Sequence, residues 1–516
     1  MPRATAPAPP RPGPPLAQLR EDLQGFTREA VADVLGDVAL GALGREQPMP
    51  ALRAARASTE PAAALLRLFM LGDLVTRAEV DRALPATGTD GAAELGLVAV
   101  AGAAGSDEVE ARVDLRPYES ADAGGAARWW LASDLGELAT GRELDRDHVL
   151  GIGGASLTLA QLTVRTDVAR VLDLGTGCGI QALHAARHSR EVVATDVSRR
   201  ALDFADFNAR LAGVELDLRE GSLFEPVADE RFDLVVSNPP FVITPAAAYA
   251  AGLPVMSYRD AAREGDGLVA DVVASVGAHL RPGGTAQLLG NWEHHDGEDW
   301  RDRVAGWAAG SGLDCWVVQR EVQDPAEYAH TWLRDGGVRP DSSRFDDVFT
   351  AWLEDFEARG VSGVGFGYVL LRRPREEGRS PWVRLEEITG PVRQPIGEHV
   401  AQVLAARDWL AARDNDALAA ERFVVAPDVT EERHLRPGDP HPRVLLLRQG
   451  GAFGRTLEPG TLVAGAVGAC DGDLTLGQLV AGLAAVLDQP AAAVADEVLP
   501  AVRDLVLDGL LRPADA

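Results

Sequence analysis

The stretch ARVLDLGTGCGIQALHAARHS, residues 169–189, decides the fold of the chain. It begins with the apolar pattern of a buried strand that ends in Asp173, and it then turns through Gly175, Gly177 and Gly179 into a helix. Glycines at the carboxyl end of a first strand let the backbone approach a ligand closely, at the edge where open parallel sheets bind ligands. The stretch therefore predicts an α/β fold with a ligand site at this turn.

The residues around this stretch extend the pattern. Strands and helices alternate from about residue 150 to residue 373, as in a parallel, doubly wound sheet, and five successive strands are predicted at ARVLDLG, REVVATD, VELDLRE, FDLVVSN and GTAQLLG. Asp196 ends the second strand, about twenty residues after the glycines, where an acid can accept hydrogen bonds from both hydroxyls of a ribose. Capping does not require Asp196, because Ser198 is already placed as the N-cap of the next helix.

A second informative stretch is FDLVVSNPPFVIT, residues 232–244. Its apolar run is typical of a strand buried on both faces, and the prolines cannot continue that strand because they lack an N–H. The chain must leave the sheet at Asn238, which places a carboxamide, the Pro239 carbonyl and the Phe241 ring at the carboxyl edge. Two fixed acceptors can orient the two N–H bonds of a planar nitrogen, and an aromatic ring can stack on the group that carries it. The alternative is that the tetrapeptide NPPF only forms a turn.

The motif DLGTGCG, followed by Asp196, resembles the first motif of class I S-adenosylmethionine-dependent methyltransferases. The resemblance implies a Rossmann-like α/β sheet and S-adenosylmethionine as the cofactor. In that family the glycine turn wraps the amino-acid part of the cofactor, the acid after strand two holds the ribose, and the loop after strand three contacts the adenine. Ser222 stands where many relatives have an aspartate, and its hydroxyl can still accept a hydrogen bond, more weakly. By resemblance, the cofactor-binding residues are Asp173, Gly175, Thr176, Gly177, Gly179, Asp196, Val197, Ser222, Leu223 and Asn238.

The sequence N-P-P-[FY] directly after strand four is the signature of amino-nitrogen methyltransferases, and it assigns catalysis to Asn238, Pro239, Pro240 and Phe241. Three acceptors share the signature: glutamine side chains in release factors, N6 of adenine, and N2 of guanine in ribosomal RNA. The segment REGDGLVADVVASVGAHLRPGG (263–284) resembles release-factor glutamine methyltransferases, especially the eukaryotic and archaeal type. A glutamine in a release factor or ribosome-associated protein is therefore the favoured acceptor.

The resemblance covers roughly residues 150–290 and has departures. Phe241 replaces the more usual tyrosine, and HVLGIGGASLTLAQLT stands where the bacterial glutamine enzymes carry a Pro-Arg-Pro-type segment. Ser156 and Thr158 in that stretch are candidate cofactor contacts. Two alternatives stay open: methylation of an RNA or DNA base, and a non-catalytic cofactor-binding protein whose flanking domains dock a partner. The intact NPPF counts against the second alternative, because a non-catalytic protein has no need of a group that orients a nitrogen.

The composition sets limits on the function. A net charge of −28 over 516 residues argues against a protein that grips phosphate backbones non-specifically. Cys178, Cys315 and Cys470 lie too far apart for a disulfide framework or a metal cluster, so we expect no metal and a cytoplasmic location. Cys178 has no evident base that would make it a nucleophile. No apolar run approaches a membrane span, so no membrane contact is expected, and the oligomeric state is not indicated.

Shifts in composition predict three domains after a disordered proline-rich arm at residues 1–14. Residues 15–134 have helical spacing followed by a hairpin, which suggests a helical, winged-helix-like domain. Residues 135–373 contain the α/β sheet and all the candidate site residues. Residues 374–516 begin with the linker PREEGRSP and form an α+β domain that again resembles a winged helix at its end.

Other polar and aromatic residues have ordinary structural interpretations. His184 and His188 lie four apart on a predicted helix without the acid of a metal-binding motif, so we interpret them as a solvated helix face. NWEHHDGEDW (291–300) is interpreted as the polar loop after strand five. Trp129 and Trp130 are interpreted as core contacts and not as platforms for base stacking.

Overall fold

The computed structural model of the chain describes residues 7–122, 124–141, 144–256, 259, 263–338, 343–376 and 378–515. They form two compact units: the larger contains the described residues up to 160 and from 167 to 387, and the smaller contains 161–166 and those from 388 onward. The described residues before 134 therefore share a unit with the central sheet. The three-domain boundaries drawn from the sequence stay a prediction.

The N-terminal part of the larger unit consists of short helices and two small sheets. Its helices are α1 Leu16–Asp22, α2 Arg28–Leu43, α3 Pro48–Ala57, α4 Pro61–Leu65, α5 Arg77–Ala83, α6 Gly88–Glu94 and α7 Glu137–Thr140. Its strands are β1 Val75–Thr76, β2 Val98–Val100, β3 Glu108–Ala111, β4 Asp114–Asp122 and β5 Gly125–Ser133. The order α4–β1–α5–α6–β2–β3, with β3 between β1 and β2, is the connection order of a winged helix.

Two helices in this part begin at a threonine N-cap. The Thr27 side chain accepts from the Ala30 N–H at 3.0 Å. Thr76 forms a full capping box with Glu79.

The proline-rich residues from 7 to 14, for which the sequence predicts disorder, lie against α6. The Arg11 N–H donates to the Leu95 carbonyl at 3.0 Å, and Pro10 is buried. A Cβ placed on Gly91 would lie 3.2 Å from the ring of Pro15, so this glycine leaves room for the proline that directly follows the segment.

An eight-stranded sheet forms the centre of the larger unit. The five predicted strands are present and run parallel, so this prediction is confirmed. Numbered along the chain, they lie side by side in the sheet in the order 3-2-1-4-5. The strands are β6 Val168–Leu174, β7 Ser189–Asp196, β8 Asp217–Glu220, β9 Phe232–Ser237, β10 Leu280–His295, β11 Asp314–Gln323, β12 Val361–Arg372 and β13 Val383–Glu387. The helices between them are α8 Gly154–Leu162, α9 Ile180–Ala185, α10 Arg199–Ala212, α11 Ala246–Ala250, α12 Gly267–Ser275, α13 Trp300–Ala308, α14 Pro325–Asp335 and α15 Ser343–Arg359.

The last strands complete the sheet in a way that the sequence did not indicate. β12 is antiparallel to both of its neighbours, β10 and β11, and β13 adds a parallel edge strand beyond β11. The interpretation of 291–300 as a loop is wrong for its first half, because β10 continues to His295 along β12. Asn291 and Glu293 on this extension are buried. The polar composition of this extension is not typical of a strand. In the structure the Asn291 NH₂ donates to the Tyr328 hydroxyl, and Glu293 forms an ion pair with Arg359.

The interpretation of His184 and His188 as a solvated helix face is also wrong, since both side chains are buried. The Tyr118 hydroxyl lies 2.7 Å from His184 Nε2, and the Trp129 ring packs edge-on against the same histidine at 5.0 Å. The hairpin β4–β5 thus covers α9 and replaces the solvent. Trp129 and Trp130 are buried, which confirms their interpretation as core contacts.

The smaller unit has its own core and two three-stranded sheets, in the orders β18-β14-β19 and β15-β16-β17. Its end has the order α18–β18–α19–α20–β19, and β14, which comes earlier in the chain, lies between β18 and β19. The likeness of this end to a winged helix stays a prediction. Its helices are α16 Gly397–Ala411, α17 Asn415–Ala420, α18 Thr461–Gly468, α19 Leu476–Leu487 and α20 Ala491–Leu507. Its strands are β14 Arg422–Val425, β15 Val429–His434, β16 Val444–Gln449, β17 Thr456–Leu457, β18 Asp471–Thr475 and β19 Leu511–Pro513.

Candidate active site

The carboxyl ends of β6, β7 and β9 meet at one edge of the sheet and bring the predicted site residues together. The N–H groups of Gly175 and Thr176 both donate to the Thr195 carbonyl at 2.9 Å, which joins the glycine turn to the end of β7. On the other side, the Ser237 hydroxyl donates to the Leu174 carbonyl at 2.8 Å, one residue before Asn238. The glycine turn therefore lies between Asp196 and Asn238.

The three glycines of the turn have different surroundings. All three have positive φ, at +76° for Gly175, +55° for Gly177 and +89° for Gly179. A Cβ on Gly175 or Gly177 would meet nothing within 4 Å, whereas a Cβ on Gly179 would lie 3.2 Å from Ala205. The first two glycines thus face open space at the sheet edge, and the third lets α9 pack closely on α10.

The Asp173 side chain stabilises the glycine turn through hydrogen bonds. Its Oδ2 accepts from the Thr176 hydroxyl at 2.6 Å and from the Ala182 N–H at 2.9 Å, so it joins the turn to the start of α9. Burial raises the pKa of the Asp173 carboxyl to about 7. These contacts give Asp173 and Thr176 a role in shaping the turn, and their direct contact with a cofactor stays a prediction.

Asp196 connects the turn to the start of α10. Its Oδ2 accepts from the Gly177 N–H at 2.9 Å, and its Oδ1 accepts from the Ser198 N–H at 2.8 Å. Burial raises the pKa of this carboxyl above its usual value, against these backbone hydrogen bonds. Each carboxylate oxygen has more than one lone pair, so both can still accept from the hydroxyls of a ribose. The next side chain, Val197, is 58% exposed and offers an apolar surface beside them.

The loop after β8 lies next to Asp196, as the resemblance implies. The Gly221 N–H donates to the Asp196 carbonyl at 3.0 Å, and Ser222 is exposed with its N–H directed to Glu225 at 3.3 Å. Leu223 has a φ of +46°, a conformation that costs a residue with a side chain of order 1 kcal/mol and is found at functional sites. Contact of Ser222 and Leu223 with an adenine stays a prediction.

The segment 148–163, which contains the candidate cofactor contacts Ser156 and Thr158, is helical over Gly154–Leu162. The carbonyl of Ser156 accepts from the Gln181 side chain at 2.7 Å. This bond places the start of α8 beside the start of α9, close to the glycine turn. The side-chain roles of Ser156 and Thr158 stay predictions.

Asn238 has an unusual environment at the end of β9. Its Oδ1 is buried and has no hydrogen-bond partner among the described residues. An unpaired buried acceptor costs about 1–3 kcal/mol, and such groups call for a functional or structural reason. Pro239, which follows, is buried as well, so the backbone that carries this oxygen is held firmly. The arrangement suits an acceptor that waits for an N–H donor.

The segment after Phe241 is held by residues far along the chain. The Val242 N–H donates to the Arg259 carbonyl at 3.1 Å, and the Ile243 N–H donates to the Tyr328 hydroxyl at 2.8 Å. The Asn291 side chain donates to the same hydroxyl at 3.0 Å. Tyr328 on α14 and Asn291 on β10 therefore fix the position of the NPPF segment relative to the sheet.

The Phe241 ring lies against a group of aromatic side chains, Tyr328, Trp332 and Phe366, that the sequence did not reveal. We call this group the aromatic wall. The Phe241 ring packs edge to face against Trp332 at 6.2 Å and against Phe366 at 6.5 Å. Tyr328 and Trp332 lie four apart in EYAHTWLRD, a spacing that puts both rings on one face of α14. That spacing was the available signal, although it does not say which surface the face covers.

Cys178, metal binding and membrane-spanning helices were the other features that the sequence raised. Cys178 is buried, and burial raises the pKa of its thiol to about 11, which leaves it neutral and without nucleophilic character. Among the described residues no cluster of three or more histidine, cysteine or acidic side chains is placed to hold a metal. In the same part of the chain no helix is long and apolar enough to cross a membrane.

Comparison with known proteins gives three separate matches along the chain. Residues 152–257 match the family model of the methyltransferase small domain, and residues 23–112 and 401–513 match models that are each described as a domain of unknown function. A methyltransferase of known structure from Pyrococcus furiosus is 15% identical, with a TM-score of 0.25 over 42% of this chain and 81% of that chain, which is too weak to carry an argument.

Three similar proteins are named as glutamine methyltransferases. The chain is 42% identical over 130 residues to the release factor glutamine methyltransferase of Xylella fastidiosa, a match that covers 24% of this chain and 47% of that protein. It is 36% identical over 183 residues to the enzyme of the same name from Bordetella pertussis, covering 34% and 56%. It is 40% identical over 104 residues to the ribosomal protein uL3 glutamine methyltransferase of Bradyrhizobium diazoefficiens, covering 19% and 32%. The chain spans about half the length of the first of these relatives.

The fold, the glycine turn and these matches define the segment around residues 152–257 as a class I S-adenosylmethionine-dependent methyltransferase domain. The predicted fold class and cofactor are confirmed. Within that class, the segment is similar to the glutamine methyltransferases named above.

The residues at the sheet edge fit S-adenosylmethionine. Open space faces Gly175 and Gly177, where the backbone must approach the amino-acid part of the cofactor. The Asp196 carboxylate and the exposed Val197 lie together at the end of β7, where the ribose and the adenine need an acceptor and an apolar surface. The Oδ1 of Asn238 is buried without a partner among the described residues, and its contact with an acceptor nitrogen stays a prediction.

Proposed function

We propose that this chain transfers a methyl group from S-adenosylmethionine to the side-chain nitrogen of a glutamine in a protein. When bound, the cofactor supplies a methyl group carried on a positively charged sulfur. The observation that carries the proposal is the buried, unpaired Oδ1 of Asn238 beside the glycine turn.

Asn238 and its neighbours act on the acceptor nitrogen. An amide nitrogen is a poor nucleophile because its lone pair is delocalised into the carbonyl. The Asn238 oxygen and the Pro239 carbonyl would each accept one N–H bond, which fixes the orientation of the nitrogen and favours its pyramidal form. Such preorganised groups lower a barrier without reorganising during the reaction. The N–CH₃ bond would form as the S–CH₃ bond breaks, S-adenosylhomocysteine would leave, and the nitrogen would lose one N–H proton to water. Phe241 would stack on the amide and tolerate the positive charge before that proton is lost.

Charge favours a protein over a nucleic acid as the acceptor. The helices α14 and α15, which lie on the Phe241 side of the site, carry seven acids against three arginines. The acids are Glu327, Asp335, Asp346, Asp347, Glu354, Asp355 and Glu357, and the arginines are Arg334, Arg344 and Arg359. A phosphate backbone beside this surface would be repelled, and proteins that bind one do so mainly through basic residues.

The proposed partner is a release factor or a ribosome-associated protein in the cytoplasm. Three glutamine methyltransferases of translation proteins are similar to the segment around residues 152–257. The three cysteines of the whole chain are free and buried, which suits a reducing compartment. Methylation of adenine N6 or guanine N2 is the alternative, since a base amine also presents two N–H bonds.

The test separates cofactor binding from transfer. Asn238→Ala should leave the affinity for S-adenosylmethionine near that of wild type and lower turnover by about 10²–10³, the effect of losing one preorganised polar group. Turnover is the transfer of radiolabelled methyl to the protein fraction of a lysate from the encoding cells after deletion of this gene. The exposed Asn415 provides the control, because Asn415→Ala removes the same side chain in the smaller unit. Full turnover by Asn238→Ala would overturn the proposal.

A further inference from the structure

A second unpaired polar atom lies next to the acceptor end of the site. The Nε1 of Trp332 is buried and has no hydrogen-bond partner among the described residues. Its ring packs edge to face on the ring of Phe241, with 6.2 Å between the ring centroids. Phe241 follows Asn238 by three residues along the chain. Trp332 Nε1 is thus an unpaired donor on a ring that contacts Phe241, the side chain expected to stack on the acceptor.

Hydrogen bonds of Arg259 and Tyr328 connect the helix of Trp332 to the segment that follows Phe241. Its carbonyl accepts from Arg259 Nη1 at 2.7 Å, and the Arg259 carbonyl accepts from the Val242 N–H at 3.1 Å. One turn earlier on α14, Tyr328 holds the Ile243 N–H. The segment that carries Phe241 and the helix that carries Trp332 are therefore tied together at two points, and the two rings keep their relation.

The chemistry of the two unpaired atoms is complementary to a carboxamide. A carboxamide has a donor NH₂ and an acceptor oxygen on the same carbon, so it can satisfy one acceptor and one donor at once. Burying either atom alone costs about 1–3 kcal/mol, and this cost is recovered only when a ligand brings the missing partner. No side chain among the described residues fills this role for Trp332.

We propose that Trp332 is a specificity-determining residue whose indole N–H donates to the carbonyl oxygen of the acceptor amide while Asn238 accepts from its nitrogen. This inference rests on the proposed function and names the group that holds the other end of the amide. A hydrogen bond to the carbonyl oxygen also keeps the amide plane on the Phe241 ring, so that the nitrogen stays aligned with the Asn238 oxygen.

The test removes the N–H and keeps the packing. Trp332→Phe removes the N–H but also replaces the indole with a smaller phenyl ring. A second variant therefore replaces Trp332 with β-(3-benzothienyl)alanine, which keeps the size of the indole and has sulfur in place of the N–H. Trp352→Phe is the matched control, because Trp352 Nε1 is also buried and unpaired and its ring lies in the same aromatic cluster. Trp352 contacts Tyr328 at 6.3 Å. Initial rates are measured with radiolabelled cofactor against increasing lysate protein, and cofactor affinity is measured by calorimetry.

We expect kcat/KM to fall about 10- to 100-fold in both Trp332 variants and to stay near wild type in Trp352→Phe, with cofactor affinity unchanged in all three. Full kcat/KM in the benzothienyl variant, while wild type labels protein, would overturn this inference and leave the proposed function standing. Label that wild type places only in nucleic acid, or in no fraction, would overturn the proposed function and this inference with it. Equal losses in the Trp332 and Trp352 variants would show that packing, and not the N–H, matters.

Discussion

The role of Asp196 can be tested by removing its carboxylate and the ribose hydroxyls in turn. Asp196→Ala removes the acceptor of the Gly177 and Ser198 N–H groups and, by our account, the acceptor of two ribose hydroxyls. Each hydrogen bond to a charged group contributes about 1.5–3 kcal/mol, so two ribose bonds amount to about 3–6 kcal/mol, or a 10²–10⁴-fold loss of affinity. Calorimetric titration with S-adenosylhomocysteine measures this loss.

Deoxy analogues of the same ligand separate the lost contact from a disordered turn. Wild type should bind the 2′-deoxy and 3′-deoxy analogues more weakly than the parent ligand, whereas Asp196→Ala should bind all three alike. Asp203→Ala is the control, because Asp203 lies on α10 in an exposed ion pair with Arg199 at 3.0 Å. If Asp196→Ala still discriminates against the deoxy analogues as wild type does, Asp196 does not hold the ribose.

Two further predictions concern groups that shape the site. Tyr328→Phe leaves the buried Ile243 N–H without its acceptor, so we expect a loss of about 1–3 kcal/mol in unfolding free energy in urea and a lower kcat at unchanged cofactor affinity; an unchanged kcat would mean that the hydroxyl does not position the NPPF segment. The raised pKa of Asp173, about 7, means that the folded protein holds this proton more tightly than the unfolded chain. Stability should therefore fall as pH rises from about 4 to about 7 and level off above, and Asp173→Asn should flatten that fall in urea titrations across this range; an equal slope in both proteins would contradict the pKa.

The sheet edge could be predicted because its signals are local. Glycine at positive φ, an acid at the end of a strand and prolines that end a strand each leave a mark within a few residues. The structure brings Gly175, Asp196 and Asn238 to adjoining strand ends, as the sequence predicts. Their contacts with cofactor and acceptor stay predictions.

The reversed strand β12 could not be read in this way. VSGVGFGYVLLR is rich in glycine, which is depleted in strands, so the segment lacks a clear strand signal. The glycines are needed because of residues on the neighbouring strands: a Cβ on Gly365 would lie 2.4 Å from Trp292 Nε1 and 2.3 Å from Gln319 Oε1. Those contacts join residues 46 and 73 positions apart, and no local pattern contains them.

The aromatic wall was missed for a related reason. Tyr328 and Trp332 look like an ordinary buried helix face, and only the folded chain shows that this face contacts Phe241 and the Ile243 N–H. The same holds for His184, which the hairpin β4–β5 from the N-terminal part of the chain shields from solvent. Long-range packing decided the surroundings of these residues, and spacing along the chain carries no information about it.

The most direct test of the central claim is the chemical identity of the methylated group. Wild-type protein is incubated with methyl-labelled S-adenosylmethionine and lysate from cells that lack this gene, and the labelled fraction is hydrolysed in acid. A methylated glutamine amide breaks down to glutamate and methylamine, so the account predicts that the label leaves the protein fraction as volatile methylamine. Label that stays on a purine base, or on an oxygen or carbon atom of a protein, would contradict the account.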